Sequence, residues 1–232
     1  EVVTFEPYYD SYAATIALAG GVRRTSVLRF PEFAVDEASL RAAFSPRTRM
    51  VLLNSPHNPT GKVFTRSELE LICTLAREHD AWVVTDEVYE HLVFDGVQHV
   101  PVATLAGMAE RTITISSAGK TFSTTGWKVG WVTGPAPAVA AVRAVKQFLT
   151  YVGSGPFQPA VAVGLGLPDS VYAGLAASLQ AKRDLLCDGL SAAGLAVAAP
   201  SGTYFVIADV APLGAVDGLE FCLQLPELAG VV

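Results

Sequence analysis

Three stretches of this sequence end a short apolar run in polar residues that an apolar strand does not need. Met50 to Leu53 leads into Asn54-Ser55-Pro56-His57-Asn58-Pro59-Thr60-Gly61, Trp82 to Thr85 into Asp86-Glu87-Val88-Tyr89, and Thr112 to Ile115 into Ser116-Ser117-Ala118-Gly119-Lys120. Amine, carboxylate and phenol are groups that attack carbonyl carbons or carry protons, and amides and hydroxyls orient what they act on. Taken singly, each residue has a structural explanation. Asn58 before Pro59 and Gly61 suits a turn, Asp86 suits a cap, Tyr89 suits a half-buried ring, and Lys120 suits a solvated surface. Together they assemble an acid, a phenol, an amide, a hydroxyl and an amine, a clustering that the structural explanations do not predict.

The elements that must position these groups alternate in type. Runs rich in Val, Ile and Thr predict strands near 1–5, 22–28, 49–53, 81–85, 111–115 and 129–133. Helical patterns fall near 9–19, 36–44, 66–79 and 136–149. Such alternation predicts an α/β protein with a mostly parallel sheet and helices packed on it. Thr65 followed by Glu68 is a capping box that starts the helix at 66–79. In an open α/β sheet ligands bind outside the carboxyl ends of the strands, so parallel strands bring Asn58, Asp86, Tyr89, Ser117 and Lys120 to one edge. After the Gly- and Pro-rich segment Gly153 to Pro159, a long pattern from Asp169 to Ala193 predicts a connecting helix. Gly202 then introduces a last strand, Thr203 to Ala208. The expected division is a large domain over 1–168 and the start of a smaller, incomplete domain over 169–232. Val2 to Phe5 and Ala229 to Val232 are apolar runs at the two ends, which predicts further elements on each side.

Composition narrows the function. With 51% hydrophobic and 16% charged residues, the 232-residue chain can bury a sizeable core. A net charge of -6 with no run of Lys or Arg argues against nucleic acid or an anionic membrane as the partner and favours a small molecule. The sequence has neither a long enough apolar stretch to span a bilayer nor a basic leader, and the expected compartment is the cytoplasm. Cys73, Cys187 and Cys222 match neither a disulfide framework nor a metal site, and Cys73 falls on the apolar stripe Leu69, Ile72, Cys73, Ala76.

Two rival motifs fit less well. Gly119-Lys120-Thr121 resembles the end of a nucleotide-binding P-loop, but Thr114 stands where that loop needs glycine and the acidic strand precedes it. Ser117-Ala118-Gly119-Lys120 matches the S-x-x-K of penicillin-recognising acyl enzymes, whose companion motifs are missing.

The phrases Asn54-Ser-Pro-His-Asn58-Pro-Thr-Gly-Lys62, Thr85-Asp86-Glu-Val-Tyr89, and Ser116-Ser117-Ala-Gly-Lys120-Thr-Phe through Gly126-Trp-Lys128-Val-Gly-Trp131 resemble, in order and spacing, the class I/II aminotransferases. These are pyridoxal-phosphate (PLP) enzymes of fold type I. The resemblance covers essentially the whole chain and implies a three-layer αβα fold with part of a small C-terminal α+β domain. It also implies that Lys120 carries the cofactor covalently and shuttles a proton at the substrate α-carbon, and that Asp86 holds the pyridinium nitrogen. Tyr89 and Asn58 would hydrogen-bond the ring oxygen, Tyr9 would stack on the ring face, Ser117 and Lys128 would hold the phosphate, and Asn54 would lie near the substrate. Many relatives carry Arg at the position of Lys128, so a point charge replaces a bidentate fork. The relatives' upstream phosphate-binding turn and downstream carboxylate-binding arginine have no counterpart in this sequence.

Implied partners are an amino acid, a 2-oxo acid and a second copy of the chain. Within the family, Asp86-Glu-Val-Tyr-Glu-His-Leu-Val-Phe-Asp95, Glu110-Arg-Thr-Ile-Thr-Ile-Ser-Ser117 and especially Val145-Lys-Gln-Phe-Leu-Thr-Tyr-Val-Gly-Ser-Gly-Pro-Phe-Gln-Pro-Ala160 resemble the N-succinyldiaminopimelate aminotransferases of lysine biosynthesis. Kynurenine and glutamine aminotransferases are the nearest alternative. Cystathionine β-lyase-like enzymes come third, because they usually carry Ile-His where this chain has Val88-Tyr89. Arg143 and Lys146 fit a solvated helix face.

Overall fold

The computed structural model describes residues 1–230; Val231 and Val232, the end of the expected terminal apolar run, lie outside the described residues. Six strands form one sheet: β1 (Val2–Glu6), β2 (Arg23–Val27), β3 (Met50–Asn54), β4 (Trp82–Asp86), β5 (Thr112–Ser117) and β6 (Gly130–Thr133). Their order is β2-β1-β3-β4-β5-β6, parallel throughout except for β6, which runs antiparallel to β5. Between them lie α1 (Ser11–Leu18), α2 (Glu37–Ala43), α3 (Arg66–Glu78) and the single turn α4 (Ala118–Thr121). Beyond the sheet come α5 (Ala136–Leu149), α6 (Gln158–Leu165), α7 (Asp169–Ala192), the small antiparallel pair β7 (Ala196–Ala198) and β8 (Ile207–Asp209), and α8 (Gly218–Ala229). Among the described residues no single helix is long and apolar enough to cross a membrane.

The core follows from two periodicities. Alternate residues of a strand face one side, and the register pairs Val3 with Val51 and Val51 with Val83, so the apolar positions of β1, β3 and β4 fall in one row. Leu69, Ile72, Cys73 and Ala76 recur at helical spacing along α3 and are buried in the same cluster as that row. Burial of each large side chain there is worth about 1.5–3 kcal/mol. The helix starts where its sequence says it should: the Thr65 hydroxyl accepts from the Glu68 amide while the Glu68 carboxylate accepts from the Thr65 amide. α2 is capped by Asp36, whose carboxylate accepts from the Ala38 and Ser39 amides.

The register also sets the polar edge. Asn54 and Asp86 are the last residues of β3 and β4 and pair directly, and Ser117 ends β5, so the polar residues expected just beyond the strands belong to their final turns of pleat.

Past residue 150 the structure adds elements and moves one expected boundary. Within the Gly- and Pro-rich segment a 3-10 turn over Gly155–Phe157 runs into α6, with Pro159 in its first turn, where a missing N–H costs nothing. The strand expected at Thr203 to Ala208 begins only at Ile207, paired with β7, which shows no strand pattern in the sequence. Thr203 itself cannot belong to it, because it takes a left-handed backbone (φ 68°). Helix α8 starts at an Asp217 cap and holds Pro226 within it, a residue that masks the helical pattern.

The segment around residues 200–203 is wedged against the first part of the chain. The Gly202 amide donates to the Gly61 carbonyl (2.9 Å), the Thr203 amide to the Leu92 carbonyl (2.9 Å), and the Phe94 amide to the Ser201 carbonyl (2.8 Å). Gly61 has φ 68°, and a Cβ there would lie 2.1 Å from Pro200 Cβ. Replacing Gly61 with alanine therefore adds a strained backbone to an overpacked contact, and a loss of about 2–5 kcal/mol is expected. Urea denaturation of the variant beside the wild type measures it; an unchanged midpoint would show that the segment yields freely.

Candidate active site

Asp86 is the best-anchored polar group at the sheet edge. Tyr12, in the first turn of α1, donates its phenol proton to Oδ2 (2.6 Å), and the Val88 amide donates to Oδ1 (3.3 Å). Burial pushes the carboxyl upward from its ordinary range, opposed by the Tyr12 and Val88 hydrogen bonds and by the charge of Lys120. Burial, with the Asp86 charge beside it, also holds the Tyr12 phenol well above its ordinary range, so Tyr12 stays a donor. The strand end is braced from both sides. Asn54 Nδ2 donates to the Asp86 carbonyl (2.8 Å), and Asn54 Oδ1 accepts from the Asn58 amide (2.6 Å). Next along β4, the buried Glu87 carboxylate engages His99 (2.7 Å), the Thr85 hydroxyl (3.1 Å) and the Val102 amide (3.2 Å). Tyr9 lies at the mouth, 46% exposed, its ring edge-on to Tyr12 with centroids 5.6 Å apart.

Lys120 sits on α4, directly after β5, because Gly119 lets the backbone turn tightly: a Cβ there would come within 3.2 Å of Thr125 Cα. Its amine donates to the Tyr204 hydroxyl (3.0 Å) and stands 5.9 Å from the Tyr89 ring centroid. Tyr89 is buried, and its hydroxyl donates to Tyr204 at 3.5 Å. Burial, followed by Tyr204 and Asp86, raises the Tyr89 phenol above its usual range, against the lowering contact of Asn58.

Ser117 and Lys128 lie on the flank. The Ala118 amide donates to the Val129 carbonyl (3.0 Å), holding the stretch that follows Lys128 against the start of α4. Lys128 adopts a left-handed backbone (φ 54°) that ends a 3-10 turn, and its side chain lines a cavity of about 710 Å³ with Lys146, Gly130, Ser154 and Gln158. Lys146 is exposed, as expected of a solvated helix face, and borders the same cavity as Lys128. His57, between Asn54 and Asn58, is buried; burial and the charge of Lys62 lower its pKa to about 3, so it is neutral at physiological pH and bonds Thr60 (2.8 Å) as part of the turn.

All eight residues singled out from the sequence lie at or beside the carboxyl ends of β3, β4 and β5 or on the elements that abut them. Asp86, Tyr89, Asn58, Asn54 and Lys120 form one connected group, with Tyr9 at its mouth. Ser117 and Lys128 stand on its flank without a direct side-chain contact to Lys120. Two members were missed. Tyr12 carries a signal only in retrospect: it is an aromatic in the first turn of the helix that follows Tyr9. Tyr204 carries no local signal, being 84 residues from Lys120 and in a stretch whose pattern reads as strand.

A mostly parallel α/β sheet thus gathers a lysine amine, a half-buried carboxylate and a phenol at its strand ends. Comparison with known proteins shows the family to which this arrangement belongs. The profile of the family described as Aminotransferase class I and II matches residues 1–232, and the chain belongs to that family, whose members use pyridoxal phosphate. It is 53% identical over 234 residues to the probable N-succinyldiaminopimelate aminotransferase of Mycobacterium tuberculosis, covering 100% of this chain and 59% of the relative. The solved structure of N-succinyldiaminopimelate aminotransferase from that organism superposes with a TM-score of 0.97, covering 100% of this chain and 61% of that one. Kynurenine--oxoglutarate transaminase 3 of Mus musculus is 41% identical over 93% of this chain and 51% of its own length. The methionine aminotransferase of Escherichia coli is 39% identical over 100% of this chain and 60% of its own length. The chain spans about three fifths of the length of the first of these relatives.

Proposed function

We propose that this chain is the cofactor-binding part of an aminotransferase that takes N-succinyl-LL-diaminopimelate as amino donor and 2-oxoglutarate as acceptor, in lysine biosynthesis. The observation that carries the reading is the meeting of Lys120 with the Asp86, Tyr89 and Asn58 group at the ends of adjacent parallel strands. The donor set fits pyridoxal phosphate group by group: an amine for its aldehyde, a half-buried carboxylate for its ring nitrogen, a phenol and an amide for its ring oxygen, and a hydroxyl and a cation for its phosphate. When bound, the cofactor supplies an electron sink for the substrate α-carbon.

The chain's own residues do the rest. Lys120 would hold the cofactor through its amine, and the same amine is the group that would carry a proton to and from the substrate α-carbon. Asp86, fixed by Tyr12 and Val88, would keep a proton on the ring nitrogen. Tyr89 and Asn58 would donate to the ring oxygen, Tyr9 would cover a ring face, Ser117 and Lys128 would hold the phosphate, and Asn54 would border the substrate. The domain division at 168/169, a cytoplasmic location and a homodimeric assembly belong to the same proposal.

The substrate choice rests on the 53% identity to the mycobacterial N-succinyldiaminopimelate enzyme against 41% and 39% for the kynurenine and methionine relatives. It is tested on the full-length protein by comparing kcat/KM for N-succinyl-LL-diaminopimelate, kynurenine, glutamine and methionine. A preference for the first of at least about 100-fold is expected, since a site built to pair a second carboxylate rejects donors that leave its polar groups unpaired. Equal or greater efficiency with kynurenine, glutamine or methionine overturns the assignment.

A further inference from the structure

Tyr204 reaches the lysine from an unrelated part of the chain. Its hydroxyl oxygen accepts from the Lys120 amine (3.0 Å) and from the Tyr89 hydroxyl (3.5 Å), and its ring stands edge-on to Tyr89 with centroids 5.5 Å apart. With both acceptor directions filled, its own proton remains free to donate.

The backbone is built to present this side chain. Thr203, immediately before it, is fully buried and adopts φ 68°, a conformation that a β-branched residue rarely takes. That conformation is held by the Thr203 amide bond to Leu92 (2.9 Å) and by the Thr203 hydroxyl, which accepts from the Phe205 amide (3.2 Å). Gly202 cannot be replaced without collision, since a Cβ would lie 2.8 Å from the Leu92 carbonyl. Strain held in place by its surroundings collects at functional positions, and here it aims the next side chain at Lys120.

From this arrangement we propose that Tyr204 is a positioning residue for Lys120, holding the amine beside Tyr89 and offering the phenol proton toward the oxygen that approaches it. This rests on the reading of Lys120 as the cofactor lysine. Burial raises the Tyr204 phenol, but the hydrogen bonds from Tyr89 and Lys120 and the lysine's charge bring it net below its ordinary range.

The test compares wild type, Tyr204→Phe and Lys120→Met. Phenylalanine keeps the ring packing on Tyr89 and Phe205, so a merely structural role leaves turnover unmoved and takes only an ordinary tyrosine out of the titration. In a phenolate absorbance titration of the chain without cofactor, one of the seven tyrosines is expected to ionise ahead of the rest. That step should vanish in Tyr204→Phe and move to higher pH in Lys120→Met. On the full-length enzyme with PLP, Tyr204→Phe is expected to lower kcat by on the order of tenfold, as for loss of a hydrogen bond to a charged group, with KM for the amino donor little changed.

If the early step persists in Tyr204→Phe, or if both proteins turn over alike while wild type binds PLP, this proposal is wrong and the cofactor reading stands. If wild type takes up no PLP, the cofactor reading is wrong, and the positioning role falls with it, whatever the titration gives.

Discussion

Replacing Lys120 with alanine is expected to abolish the visible absorbance band that forms when PLP is added, together with its trapping by borohydride, and to lower amino transfer by about 10⁴-fold or more. Two losses combine in one substitution. The covalent tether goes, and so does the proton carrier at the α-carbon, a role worth about 10²–10⁴-fold by itself. The side chain projects from α4 at the edge of the sheet, outside the apolar cluster of β1, β3, β4 and α3, so the fold has no need of it. The comparison is made on the full-length protein, with the circular dichroism spectrum of the variant as its control. A variant that keeps the borohydride-trapped band on another lysine would remove Lys120 from the centre of the site. If the fold is intact and the band is absent from wild type as well, the cofactor assignment fails as a whole.

Asp86→Asn is expected to act on a different step. Asparagine conserves the shape and can still accept from Tyr12, but it brings no negative charge to the ring nitrogen. Leaving one member of a buried ion pair alone costs about 3–5 kcal/mol, which as a barrier corresponds to a fall in kcat of about 150- to 5,000-fold. PLP should still be taken up through Lys120, so the expected pattern is a visible band with little turnover, opposite to that of Lys120→Ala. Single-turnover rates with amino donor separate the two. The size of the effect depends on Asp86 being ionised in the protein: burial favours its protonated form, and the Tyr12 phenol, the Val88 amide and the Lys120 charge oppose that. A variant as fast as wild type would mean that those groups do not keep the charge on Asp86, or that the ring nitrogen does not depend on it.

Much of the site was legible because its groups sit at the ends of local patterns. Three apolar runs, each followed at once by polar residues, mark three strand ends, and parallel pairing of β3, β4 and β5 is enough to bring those ends together. Spacing also fixed α3, whose capping box and apolar stripe lie within a single helix and depend on nothing distant. Cys73 on that stripe is 1% exposed, as its neighbours at helical spacing required. The mostly parallel sheet followed from the alternation of strand and helix, and the proposed roles of Lys120 and Asp86 come from the resemblance of their motifs to those of the family.

Other features have causes that do not lie near them in the chain. Tyr12 meets Asp86 across 74 residues and Tyr204 meets Lys120 across 84. No periodicity within a window of ten or twenty residues can encode such pairs, because they arise from how β1, β4, β5 and the segment before β8 are stacked. The stretch at 203–206 shows the conflict most directly. Its β-branched and aromatic residues favour a strand, but the close approach of Pro200 and Gly202 to Gly61, and the hydrogen bonds to Leu92 and Phe94, force Thr203 into a left-handed turn. By itself, then, the sequence determined the sheet, the strand ends and the chemical groups they carry. Tertiary packing alone decided how Asp86 is anchored and what touches the amine of Lys120, because contacts made over long separations can override local preference wherever burial and backbone hydrogen bonding outweigh it.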